Sequence, residues 1–149
     1  MNVIALDIGS VRCGVAKSDP SGLIASTLTT LKYPSEDYET CLDMILDLVD
    51  EIKPDTIVIG FPKKLDNTIG EKAELAMAFK DALENEVDIP IVLWDERYTT
   101  VMSNRILIQA DVSRKKRKDV VDKIAATFIL QGYLDAIRAK ERNQENVSE

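Results

Sequence analysis

Residues 3–19 read VIALDIGSVRCGVAKSD, and the folding of this stretch sets the frame for the rest of the chain. Val3, Ile4, Ala5 and Leu6 form a short apolar strand that delivers Asp7 at its end. Gly9 and Gly14 bracket a tight turn carrying Arg12, and Val15 and Ala16 belong to a second short strand. An acid is thus presented at a strand tip, beside backbone that glycine lets approach a ligand closely. A carboxylate so placed suits a metal ligand or a phosphate neighbour. The same letters also suit a plain hairpin turn, where Asp and Gly are common, so the later sequence has to decide between them.

Working outward, the 149 residues suit one domain with a real hydrophobic core. We expect that domain to span residues 1–138, with 139–149 a polar, aperiodic tail that is frayed or disordered. No stretch approaches the roughly 20 apolar residues of a membrane span, so a soluble, cytoplasmic protein with no membrane partner is expected. Cys13 and Cys41 have neither metal-ligand nor disulfide-framework spacing and read as reduced packing residues. The chain has no histidine, which removes Ser-His-Asp and Cys-His nucleophiles and any His-ligated zinc. Chemistry must therefore come from carboxylates, Lys, Arg, Tyr and hydroxyls. The net charge of −7 opposes nonspecific coating of nucleic acid but leaves room for a local basic patch.

After Asp19, a Pro20-Ser21-Gly22 turn leads into a third strand over residues 22–31, giving an antiparallel meander. Tyr38, Cys41, Leu42, Ile45, Leu48, Val49 and Ile52 then recur at helical spacing, with Ser35 as candidate N-cap. Thr56, Ile57, Val58 and Ile59 form a strand buried on both faces. Thr68 with Glu71 reads as a capping box for a helix through Ala73, Ala76, Phe79 and Leu83. Residues 90–94 form another buried strand, which delivers Asp95, Glu96 and Arg97. Thr99 or Thr100 caps a helix through Val101, Ile106 and Leu107, and a long helix over 119–138 carries Val121, Ile124, Ala125, Phe128 and Ile129 inward. A meander followed by strand-helix alternation predicts an α/β fold: a mixed sheet with helices on its faces. In such sheets functional groups gather at the carboxyl ends of parallel strands.

Three acidic sites sit at element ends: Asp7 ends the first strand, the pair Asp95 and Glu96 ends the last, and the pair Asp119 and Asp122 begins the long terminal helix. Asp119 and Asp122, three apart, share a helix face, although Asp119 fits an N-cap better than a ligand. Asp95 and Glu96 alternate across an extended segment, so only one of them faces a given side. Clustered carboxylates repel unless a cation holds them, and hard oxygen donors without His or Cys select Mg2+ or Mn2+. Paired ions of this kind clamp the attacking and leaving oxygens of a phosphodiester in many nucleases. The basic run Arg114, Lys115, Lys116, Arg117 and Lys118, read as a loop, immediately precedes the acidic helix and would hold a phosphate backbone beside it. Lys63 and Lys64 can extend that patch. Few aromatics accompany these charges, so phosphate and shape contacts are expected rather than base stacking.

With LDIGSVRCGVAKSD at 6–19, VIGFP at 58–62, LWDERYTT at 93–100 and SRKKRKDVVDKIAATFILQGYLD at 113–135, the chain resembles the YqgF/RuvX family. These are bacterial RNase H-like proteins associated with Holliday junction resolution and with maturation of the 5' end of pre-16S rRNA. The resemblance implies a five-stranded mixed sheet of order 3-2-1-4-5 flanked by α-helices. It implies Asp7, Glu96 and Asp122 as a catalytic, metal-binding acidic triad. It also implies substrate contacts from Arg12, Arg97 and the 114–118 run, beside the Gly9 turn. The chain departs from many RNase H-like nucleases in placing Gly60, Phe61 and Pro62, not an acid, at the end of the fourth strand.

The expected function is thus a Mg2+- or Mn2+-dependent hydrolase of phosphodiester bonds, a monomer or homodimer whose partner is structured nucleic acid: pre-rRNA first, branched DNA as the alternative. A non-catalytic RNA-binding assembly factor is a third reading. An ATP-binding protein of the actin and sugar-kinase type also begins with a D-x-G hairpin, but the chain has no second D-x-G element.

Overall fold

The computed structural model describes residues 1–61, 70–95 and 114–147. Its strands are β1 (Val3–Ile8), β2 (Arg12–Ser18), β3 (Ala25–Lys32), β4 (Thr56–Phe61) and β5 (Ile91–Asp95). Its helices are α1 (Tyr38–Ile52), α2 (Glu71–Glu86) and α3 (Arg114–Val147). The strands form one sheet in the order β3-β2-β1-β4-β5, with the β1-β2-β3 meander antiparallel and β1, β4 and β5 mutually parallel. That is the order the resemblance implies. The carboxyl ends of β1, β4 and β5 therefore lie along one edge.

Alternation along the strands divides the core into two layers. Ile4, Leu6 and Ile8 of β1, with Ile57 and Ile59 of β4, pack against Cys41, Ile45 and Val49 of α1 and Ala76, Phe79 and Leu83 of α2. Val3, Ala5 and Val58 pack on the other face against Ala126, Ile129, Leu130 and Leu134 of α3. A strand buried on both faces cannot alternate in polarity, which is why β1 and β4 read as continuous apolar runs. Among the described residues no helix is long and apolar enough to cross a membrane.

Several local expectations are corrected. Asp37, not Ser35, caps α1: its carboxylate accepts from the Thr40 N–H at 3.2 Å and Oγ1 at 2.7 Å. Glu36 takes a left-handed backbone, φ 59°, so the chain turns once more before helical geometry begins. The Thr68 capping box does not start α2, whose N-cap is Gly70 without a side-chain bond. The helix expected through Val101, Ile106 and Leu107 falls outside the described residues. The basic run is not a loop: α3 begins at Arg114, and Arg and Lys are strong helix formers that extend it backwards. Asp119 accordingly sits inside the helix and is not its N-cap. At the other end α3 continues past Arg138 to Val147, so the backbone of the segment read as a polar tail is helical that far.

The β2-β3 hairpin is closed by Asp19, and β3 starts at Ala25 because residues 20–24 are consumed in that turn. Asp19 Oδ1 accepts from the N–H groups of Leu23 and Ile24, both at 2.9 Å, and its Oδ2 accepts from the Ser21 hydroxyl. Gly22, at φ 75°, supplies the left-handed step. The Ser21 hydroxyl first, then the backbone donors, pull the Asp19 carboxyl down to about 2. Its folded pKa lies below the unfolded value of about 3.9, so the stabilisation it provides is complete above pH ~4 and lost as pH falls toward 2. A carbon-detected NMR titration is expected to place the Asp19 midpoint near 2, and a midpoint at or above the free-aspartate value of about 3.9 would disprove this account.

Candidate functional site

Asp7 stands near the tip of β1, half-buried, with the parity of Val3 and Ala5 and therefore on the α3 side of the sheet. Its partner across β2 is Gly14. On the other side Leu6 pairs with Ile59, so the next residue level with Asp7 is Gly60, which itself pairs with Trp94 of β5. The row thus runs Gly14, Asp7, Gly60, Trp94. Asp7 is thus flanked on both neighbouring strands by glycine.

The turn after β1 is held at every carbonyl. The Arg12 carbonyl accepts from Gly9 N–H at 2.9 Å, Val11 from Tyr33 N–H at 3.1 Å and Ser10 from Glu36 N–H at 2.7 Å. The Gly9 carbonyl accepts from the Tyr33 hydroxyl. A Cβ on Gly9 would come within 3.0 Å of the Arg12 carbonyl, so this closure needs glycine. Beneath the turn lie the buried, free thiols Cys13 and Cys41. A hydrogen bond with Cys41, reinforced by burial, pushes the Cys13 thiol well up, and burial, followed by contact with Cys41, pushes the Tyr33 phenol up as well. The same hydrogen bonds, from Cys13 first and then Tyr33, shift the Cys41 thiol down; both cysteines are free, which matches their reading as reduced.

A cleft of about 360 Å³ opens at this edge, lined by Asp7, Gly9, Ser10, Val11, Arg12, Gly14 and Lys72. The structure therefore brings together Asp7, Gly9 and Arg12 from the expected site and adds Lys72 of α2, which sequence reasoning missed. One signal was available: a cation in the first turn of a helix opposes the helix dipole.

The remaining expected residues divide into two groups. Glu96, Arg97, Lys63 and Lys64 lie outside the described residues. Asp122, Arg114, Lys115, Lys116, Arg117 and Lys118 are on the α3 backbone. The direction of α3 is fixed by two contacts with β3: Gln131 Oε1 accepts from Ala25 N–H at 2.9 Å, and the Thr127 and Thr27 hydroxyls meet at 2.9 Å. Moving toward its N-terminus, α3 thus advances along β3 toward Thr29 and Thr30, and Thr30 pairs with Gly14 in the Asp7 row. Residue 122, about 7.5 Å further along the helix than Thr127, reaches the level of that row. Asp95 has the parity of Ile91 and Leu93, whose side chains pack toward α1 and α2, so it lies on the sheet face opposite Asp7. Among the described residues no group of three His, Cys, Asp or Glu is close enough to hold a metal ion.

Comparison with known proteins agrees with this architecture. Residues 1–136 match the family model described as "RuvX: Holliday junction resolvase". The chain is 47% identical over 136 residues to a protein of Geobacillus sp. (strain WCH70) named "Putative pre-16S rRNA nuclease", covering 91% of this chain and 99% of that one. It is 43% identical to a protein of the same name from Clostridium acetobutylicum, covering 92% and 100%. Its fold is similar to that of Thermus thermophilus RuvC in complex with a Holliday junction substrate, with TM-score 0.60, 13% identity and coverage of 95% and 96%. It is likewise similar to the Fowlpox virus resolvase bound to Holliday junction DNA, with TM-score 0.56, 14% identity and coverage of 92% and 99%.

Proposed function

The chain belongs to the RuvX family, and from that membership we propose that it is a divalent-metal-dependent endonuclease that hydrolyses phosphodiester bonds in structured nucleic acid, its substrate being the 5' end of pre-16S rRNA. The observation that carries the reading is the Asp7 cleft: a strand-tip carboxylate between Gly14 and Gly60, in a cleft that the cations Arg12 and Lys72 also line. A nucleic-acid strand needs such a pairing of features, with cations for its phosphates and a carboxylate to hold the ion that the reaction uses.

The donor set fits Mg2+ or Mn2+. Asp7 offers hard oxygen, which suits a hard divalent cation, and the two nearby thiols are buried beneath the turn. Asp7, Glu96 and Asp122 would hold the ion. Glu96 is supported over Asp95 because Asp95 lies on the opposite sheet face from Asp7, and Asp122 by the course of α3 toward the Asp7 row. When bound, the ion supplies a nucleophilic water at neutral pH and neutralises charge on the phosphoryl oxygens. Arg12, fixed by the fully bonded turn, holds a non-bridging phosphate oxygen and orients the strand against Asp7. The basic first turns of α3 add contacts to neighbouring phosphates.

The test is cleavage by the purified chain of an RNA carrying the pre-16S 5' leader, beside a four-way DNA junction. Expected is cutting of the leader with Mg2+ or Mn2+, abolished by EDTA, and an intact junction. Paired symmetric cuts in the junction with an intact leader would reassign the protein as a resolvase, the reading favoured by the family description. Binding without cleavage of either would make it an assembly factor.

A further inference from the structure

Lys72 lines not one cleft but two. Besides the Asp7 cleft, it borders a second of about 500 Å³ formed by Ile8, Glu36, Tyr38, Glu74 and Leu75 together with Gly9 and Ser10. Gly9, Ser10 and Lys72 are common to both and so form the saddle between them.

Among the described residues the charge on this saddle serves no structural contact. Lys72 makes no ion pair among the described residues, although the chain has 26 acidic residues to 19 basic ones. Further along the same helix Lys80 is paired with Glu84 one turn on, whereas the residues three and four after Lys72 are Leu75 and Ala76. The position also costs the helix some stability, because a cation near a helix N-terminus faces the positive end of the dipole. An exposed ammonium with no partner among the described residues and an unfavourable field, set beside the candidate reaction site, matches an anion supplied from outside.

We propose that Lys72 is a phosphate-binding residue, holding a phosphate of the nucleic-acid strand neighbouring the one at Asp7 and Arg12, so that the strand leaves the Asp7 cleft across the Gly9-Ser10 saddle. Glu36 and Glu74 line only the second cleft, and their charge confines the phosphate to the saddle, which makes this a single contact. This rests on the reading of the chain as a nucleic-acid enzyme.

The test measures binding, with Asp7→Asn present throughout to prevent cleavage. Affinity for a leader RNA fragment and for a four-way DNA junction is followed by fluorescence anisotropy from 50 to 300 mM salt. Adding Lys72→Gln is expected to reduce the slope of log affinity against log salt by about 0.7 to 0.9, one phosphate contact, and to weaken binding about five- to eightfold near 0.1 M. Lys72→Arg should restore the slope, and Lys80→Gln, already paired on the surface, should leave it unchanged. An unaltered slope in Lys72→Gln with normal binding would overturn the subsite while leaving the nuclease reading standing. No binding of either nucleic acid by the Asp7→Asn protein would overturn both.

Discussion

Asp7→Asn is expected to lower the rate of leader cleavage by at least about a thousandfold, some 4 kcal/mol of transition-state stabilisation, while leaving the fold in place. The substitution keeps the side-chain volume and removes only the anionic oxygen, in a half-buried position whose cross-strand partner is Gly14, so packing is undisturbed. A neutral amide is a poor ligand for a hard divalent cation, and the charge stabilisation worth several kcal/mol that such an ion gives a phosphoryl transition state goes with it. Affinity for RNA, which depends on Arg12, Lys72 and the basic turns of α3, should stay within about threefold or rise slightly as a negative charge is removed. Single-turnover cleavage with saturating protein separates the two effects. A variant that cuts within tenfold of the parent would remove Asp7 from the chemistry.

The parts of this site that could be read from the sequence are those encoded locally. Asp7 announces itself because the apolar run before it and the glycines after it fix a strand and a turn within ten residues, and strand alternation then sets its face. A mixed sheet with helices on its faces followed from a meander leading into alternation, whereas its strand order came from the family resemblance. What escaped depends on the relation between distant elements. Nothing near Lys72 in sequence indicates that α2 brings it to the clefts at the Gly9-Ser10 turn; the shared lining joins residues about sixty positions apart and is set by how α2 seats Ala76, Phe79 and Leu83 on the sheet. The basic run misled for another reason. Five like charges suggest a solvated loop, yet their helix propensity is high, and α3 takes them as its opening turns. Similarly, Ser35 and Asp37 are both good caps on paper, and the left-handed turn at Glu36 decides between them.

The second large effect concerns the seat of α3. This helix is mostly polar, and among the described residues it buries only Ala126, Ile129, Leu130 and Leu134. Leu130 is fully enclosed, so Leu130→Ala should cost about 2–5 kcal/mol through lost burial and the cavity left behind. For a chain of this size that corresponds to a fall in melting temperature of roughly 4 to 20 °C. Ile45→Ala, equally enclosed but in the α1 layer on the other face, should cost a similar amount. The two variants nevertheless part company in function. At 25 °C both remain folded, since the total stability of a domain is about 5–15 kcal/mol, but only Leu130→Ala loosens the helix that carries Asp122 toward the Asp7 row. Its cleavage rate should drop about tenfold or more, because misplacement of a reacting group by about 1 Å costs on that scale. Ile45→Ala should cleave at close to the parent rate. Calorimetry paired with single-turnover kinetics provides the comparison, and equal rates in the two variants would show that α3 supports the fold without holding the site.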